Sequence, residues 1–144
     1  QLDALRALWN ICNTFAGKEA AVEAEVFETL GRVCSDGSAD AKRLAAGCAL
    51  AITVAENGKR RADAILEPLL DLALDAASDA ATVRNAVGAL KNAAEYPKAR
   101  KQISALARRR GEDVRAMFEA MGVIATPLLV AEPRTPLTQD VIQS

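Results

Sequence analysis

Residues 7–12 read Ala-Leu-Trp-Asn-Ile-Cys, and the stretch returns, blurred, as Cys-Ala-Leu-Ala-Ile-Thr at 48–53 and as Ala-Leu-Lys-Asn-Ala-Ala at 89–94. Asn10, Ala51 and Asn92 follow one another at a constant spacing. Seven positions further on, a small residue followed by a base keeps the same register: Gly17-Lys18, Gly58-Lys59 and Ala99-Arg100. This period of about 41 residues falls in the range of about 40–47 that belongs to solenoids of two- or three-helix units, whereas tetratricopeptide and ankyrin repeats run at about 34 and 33. The spacing therefore selects an all-α repeat architecture before any residue is read for chemistry.

Each copy lies on an amphipathic helix. At about 100° per residue from Asn10, the residues Ala4, Leu5, Leu8, Ile11, Cys12 and Phe15 fall on the opposite side and form a core stripe. Its equivalents are Ala45, Ala46, Ala49, Ile52 and Thr53 in the second unit, and Ala86, Val87, Leu90, Ala93 and Ala94 in the third. Turn formers and cap residues precede the second and third long helices, at 35–40 and 75–79. Glu56-Asn57-Gly58 and Glu95-Tyr96-Pro97 are expected to end them. Shorter apolar segments at 26–33 and 65–74 lie between, and Pro68 is expected to mark a helix start. Each unit then reads as a short, a medium and a long helix.

A chain of 144 residues holds about three such units. Residues 1–131 are expected to form these repeats with a C-terminal cap, whose last helix at 112–125 runs through Val114, Met117, Phe118, Met121 and Ile124. Residues 132–144, with two prolines and no periodic apolar face, read as an extended tail. An array needs a polar capping unit at each end, and the first visible repeat lacks one, so further repeats are expected upstream of Gln1.

Hydrophobic residues make up 51% of the chain but aromatics only 3%, which disfavours a base-stacking platform. The formal net charge of −1 gives no global electrostatic reason to expect a nucleic acid or a membrane surface as partner. Cys12, Cys34 and Cys48 show no CxxC spacing, and an odd number fits reduced thiols in the cytoplasm or other reducing surroundings. The longest uncharged apolar run, from Leu44 to Ala55, falls well short of the roughly 20 residues that cross a bilayer.

There is no histidine, which removes Ser-His-Asp and Cys-His catalysis from this chain and takes away the commonest metal ligand. The three cysteines read as small buried hydrophobes. No GxGxxG or GxxxxGK[ST] pattern is present, so Gly58-Lys59 is not a phosphate loop. No catalytic residue, metal ligand or cofactor is expected, and no small-molecule substrate.

The expected surfaces are for other proteins. A groove face carries Asp3, Arg6, Asn10 and Asn13 in the first unit, Leu44, Gly47, Ala51 and Val54 in the second, and Asn85, Gly88, Asn92 and Glu95 in the third. Amide side chains offer one acceptor and two donors to a peptide backbone of any sequence. Asn10 and Asn92 have two readings: they hold a peptide, or they bond the backbone of a neighbouring repeat. Ala51 breaks the ladder, so the middle unit suits an apolar partner surface, with Leu44, Ala51 and Val54 covered by it. Lys98, Arg100, Lys101, Arg108, Arg109 and Arg110 concentrate positive charge near the C-terminal end, and Glu19, Glu23, Glu25 and Glu28 concentrate negative charge near the start. These are solvated faces, or else orienting contacts with an acidic partner at the basic end.

Ala-Leu-Trp-Asn-Ile-Cys and Val-Gly-Ala-Leu-Lys-Asn-Ala-Ala resemble the last helix of armadillo repeats, and the period agrees. Within that class residues 45–59, 65–72 and 89–97 are most similar to the armadillo-repeat radial spoke family of cilia and flagella. The resemblance covers most of residues 1–125. It implies an armadillo-type α-solenoid, a right-handed superhelix of three-helix repeats with a C-terminal capping helix. It also implies a non-catalytic structural subunit of the axonemal radial spoke, a cytoskeletal scaffold supporting regulation of motility, with other spoke subunits as partners. The importin-α pattern fits worse, because it would need Trp where Arg6, Gly47 and Gly88 stand. Two alternatives remain: a soluble armadillo adaptor, as in a ubiquitin ligase or a cargo receptor, and the regulatory part of an enzyme whose catalytic domain lies elsewhere.

Overall fold

The structure is a computed structural model that describes residues 1–111 and Ala116. Apart from Ala116, the expected helix at 112–125 and the tail at 132–144 lie outside the described residues. Among those residues the protein is all-α, with eight helices and no strand: α1 (Leu2–Ile11), α2 (Phe15–Glu23), α3 (Val26–Asp36), α4 (Ala39–Ile52), α5 (Glu56–Arg60), α6 (Asp63–Leu74), α7 (Ala80–Ala93) and α8 (Pro97–Arg109). None is long and apolar enough to cross a membrane.

The period is carried by helix boundaries. Phe15, Glu56 and Pro97 open α2, α5 and α8, and Ala39 and Ala80 open α4 and α7, each step being one full period of the sequence. Local chemistry explains the shared starts. The Ser38 hydroxyl accepts from Ala41 N–H at 3.2 Å, and the Asp79 carboxylate accepts from Thr82 N–H at 2.7 Å, so both long helices begin on an N-cap oxygen that satisfies an orphan donor. The Thr14 hydroxyl does the same for α2 through Gly17 N–H at 3.0 Å. Pro97 opens α8 at the first turn, where its missing N–H costs nothing.

Three rows of packing follow. α1 packs on α4 and α4 on α7; α3 packs on α6 and α6 on α8; α2 packs on α5 and α5 on α8. The medium helices α3 and α6 also pack on the long helices α4 and α7 that follow them in sequence. The core runs through the middle of this arrangement, with Leu30, Ile52, Ile65, Leu66, Leu69, Leu70, Leu90 and Ile103 fully buried. Each such side chain contributes about 1.5–3 kcal/mol of hydrophobic stabilisation. All the stripe residues expected in the second and third units are buried.

The first unit differs. Leu5 and Cys12 are buried and Leu8 is half-buried, but Ala4 is exposed, and Ile11 and Phe15 are 55% and 71% exposed. α4 and α7 are each covered on two sides, by the preceding long helix and by a medium helix. α1 packs chiefly on α4, so half of its apolar stripe has nothing among the described residues to bury against.

Three boundary expectations are corrected. α3 runs through Asp36, so the loop before α4 shrinks to Gly37 and Ser38. Pro68 lies inside α6, which starts a turn earlier at Asp63. There it removes the donor that Ala64 O would use within the helix, and Gly31 of α3 lies against that carbonyl, where an added Cβ would sit 3.2 Å away. Gly58 does not stop α4, which ends at Ile52; it lies within α5.

The Gly-Lys echo has a structural cause. A Cβ on Gly58 would overlap Ile52 O, and one on Gly17 would overlap Ile11 O, so a side chain at either position would push the next helix off the end of the long helix. Lys59 then turns inward. Its ammonium donates to Thr53 O and Val54 O, both at 2.9 Å, and pairs with Glu95 at 3.3 Å, so it caps the carbonyl end of α4 where the helix dipole favours a cation.

Replacing a helical glycine with alanine normally gains up to about 1 kcal/mol of helix propensity. Gly58→Ala is expected to reverse that sign and to lower stability by about 1–3 kcal/mol through overpacking, read as a fall in the urea midpoint. A midpoint that rises would show that α5 does not need the close approach.

Candidate protein-interaction surface

The long-helix row is assembled by bulky side chains seated on glycines. The Trp9 ring of α1 lies directly over Gly47 of α4, and Leu50 of α4 lies over Gly88 of α7, where an added Cβ would come within 2.8 Å of Leu50 Cδ1. Trp9 and Leu50 are one period apart, as are Gly47 and Gly88. Both seated side chains stay half-buried, with one face on the next helix and one face outward. Next to them, the Asn92 amide donates to Leu50 O and to Thr53 Oγ1, both at 3.3 Å, and the Asn85 amide donates to Arg43 O at 3.3 Å. Thr53 donates in turn to Ala49 O at 2.8 Å.

Asn92 makes the contacts of the second of its two readings. Its amide bonds the neighbouring repeat, and Asn85 does the same. Asn10 and Asn13 are exposed on and just after α1, which receives no described helix on that face. Asp3 and Arg6 pair with each other at 3.2 Å across one turn and are exposed. In the middle unit Leu44 is buried at 7% exposure, Gly47 lies under Trp9 and Ala51 is half-buried, while Val54 is 60% exposed. The apolar patch expected at Leu44, Ala51 and Val54 therefore loses Leu44 to the core and keeps Val54. Trp9 and Leu50 replace it. Four positions separate Trp9 from Asn13, Leu50 from Val54 and Lys91 from Glu95, so these pairs share one register across the three long helices.

The helical period alone does not single out Trp9 and Leu50 as surface residues, because each lies between buried and exposed positions of its helix. The available signal is a bulky residue at one fixed distance before each of the two glycines.

The basic residues separate into two groups. Lys98, Lys101, Arg108 and Arg109 are exposed along α8. Arg110 pairs with Glu67 at 3.2 Å and Asp71 at 2.8 Å on α6, and Arg100 is half-buried with its Nε shielded from solvent. At the other end, Glu19 accepts from the Asn57 amide at 2.6 Å, whereas Glu23, Glu25 and Glu28 are exposed. A surface cleft lined by Val22, Glu25, Phe27, Glu28, Arg61, Asp63 and Ala64 lies beside this acidic corner, away from the Trp9–Leu50 row.

All three cysteines are buried thiols. Burial pushes Cys34 and Cys48 up from 9.0 to about 12, and for Cys48 the neighbouring Cys12 and Cys34 add to the rise. Burial also raises Cys12, with Lys18 opposing. Cys48 Sγ–H points at Leu5 O, 3.4 Å away, within the α1–α4 seam. Among the described residues no group of His, Cys, Asp or Glu is arranged to hold a metal ion.

No family model, curated protein or solved structure matches the chain.

Three outcomes are expected. Gly47→Ala should displace the only tryptophan from its seat, seen as a red shift of Trp9 emission together with a loss of about 1–3 kcal/mol in stability; unchanged emission would mean that the ring is not held there. At pH 8 the native thiols should react with a disulfide reagent only as fast as the protein unfolds. Because unfolded thiols ionise first, stability should fall as pH rises from about 9 toward 12. Rapid native-state labelling of Cys34 would contradict this.

Proposed function

We propose that the chain is a segment of an armadillo-type α-solenoid acting as a non-catalytic protein-binding scaffold, and that it serves in the radial spoke of the ciliary or flagellar axoneme. The carrying observation is the constant register: helix starts, N-caps, the Gly-Lys step and the glycine-seated side chains all recur at the same period. A unit that repeats its packing in this way stacks only on its neighbours and leaves its outer faces available along the whole array. The sequence resemblance of residues 45–59, 65–72 and 89–97 supplies the axonemal part of the reading.

The binding face in this proposal is the long-helix row. Trp9, Leu50 and Val54 give it partly exposed apolar contacts, and Asn10, Asn13, Lys91 and Glu95 give it polar edges. Apolar centres ringed by polar groups are the usual make-up of protein interfaces. The exposed side of α1, with Ala4 and Ile11, is in this reading the seat of a further helical layer. Its counterparts on α4, Ala45 and Ile52, and on α7, Ala86 and Ala93, are fully buried by such layers.

The protein should remain with demembranated axonemes after detergent extraction. Recovery in the detergent-soluble fraction would sink the radial-spoke assignment while leaving the scaffold reading open. Val54→Asp should reduce retention at least several-fold with helical content by circular dichroism unchanged. Loss of the fold would instead place Val54 in the core.

A further inference from the structure

The outward face of α8 gathers charge of one sign. Lys98, Lys101 and Arg109 fall within an arc of about 80° on a helix of about 3.6 residues per turn, and all three are exposed. The opposite side buries Ala99, Ile103 and Ala107. No aspartate or glutamate occurs anywhere in Pro97–Arg109, so α8 has no acid of its own to balance these charges.

Lys98 also sits in the first turn, where the helix dipole disfavours a cation. α1, α3, α4, α5 and α6 each carry an acid in that turn, whereas α2, α7 and α8 carry none, and of these three only α8 places a lysine there. Two other bases of this region serve packing: Arg110 is committed to Glu67 and Asp71, and Arg100 is turned inward.

We propose that this face docks an acidic polypeptide segment of a partner protein. From Lys98 to Arg109 the strip is about 16 Å long at about 1.5 Å per residue, which matches an extended segment of about five residues at about 3.3 Å each. Carboxylates lie near both ends, each already engaged by a base. Glu95 lies just before α8, and Glu67 and Asp71 of α6 hold Arg110 just beyond its last turn. A short acidic segment fits the strip, whereas a nucleic-acid backbone running on past Arg109 would meet Glu67 and Asp71, two carboxylates that share the single charge of Arg110. The strip also lacks an aromatic residue on which a base could stack. Its Coulomb attraction is exposed and therefore salt-sensitive. The inference stands independently of the axonemal assignment, because it uses only the charges and packing of α8.

The test is fluorescence anisotropy with a fluorescein-labelled hexaglutamate peptide in 50 mM and 150 mM NaCl, using the full chain. Saturable binding that weakens at least several-fold at the higher salt is expected. Lys98→Glu, Lys101→Glu and Arg109→Glu together should weaken it tenfold or more with the circular dichroism spectrum preserved. Arg110→Gln should leave it within twofold, because that side chain is engaged on α6. The proposal is overturned if the peptide does not bind, if the triple variant binds as the parent does, or if a duplex DNA of equal charge competes as well as unlabelled hexaglutamate.

Discussion

The fit of a large side chain onto a glycine of the next long helix is the constraint on which the rest of the structure depends. Trp9 on Gly47 and Leu50 on Gly88 bring the helix backbones close enough for the amides of Asn85 and Asn92 to reach carbonyls of α4, and for Cys48 to reach Leu5 O. A β-carbon at either glycine would push the helices apart and break those bonds together. Small residues around the seams serve the same end, since Ala45, Ala46, Ala49, Ala86, Ala89 and Ala93 are all fully buried. Close packing in this protein comes from alanine and glycine surfaces interlocking with a few large side chains, which accounts for so apolar a chain having so few aromatics.

The turn between units solves a second problem. The end of α4 exposes carbonyls that must be satisfied while the chain reverses into α5. Gly58 lets α5 cross against Ile52 O, and Lys59 closes the carbonyl end while linking it to Glu95 at the end of the following long helix. One dipeptide therefore joins three elements. In the third unit the pair becomes Ala99-Arg100, both drawn inward, and its helix lengthens to 13 residues. Around this turn the surface polar groups connect neighbours along the row, with Glu19 to Asn57 and Arg60 stacked over the Tyr96 ring at 5.6 Å. Charge that folds the protein is thereby distinguished from charge left facing solvent.

Much of the fold was legible in the chain. The constant spacing of the echo predicted the all-α class and placed the stripe residues of the second and third units, because a repeated core must repeat its apolar spacing. N-cap chemistry located the start of α7 and came within two residues of the start of α4. Helix ends were read less well: Pro68 looked like a beginning and Gly58 like an end, since proline and glycine are also used inside helices where a neighbour approaches closely. Ile11 and Phe15 looked like core because periodicity identifies an apolar face without saying whether a partner covers it.

The candidate surface was legible only in part. Sequence alone determined that residues 3, 6 and 10 and their equivalents share one side of each long helix, since that follows from the helical period. It also determined that the C-terminal end is basic. Only the tertiary structure decided that Leu44 and Gly47 lie inside a seam, that Asn85 and Asn92 bond the preceding long helix, and that Arg100 is half-buried and Arg110 paired on α6 while Lys98, Lys101 and Arg109 face outward. Such outcomes depend on which neighbour lies opposite a residue, and pairing between residues a whole repeat apart in the chain is set by the packing of the entire row.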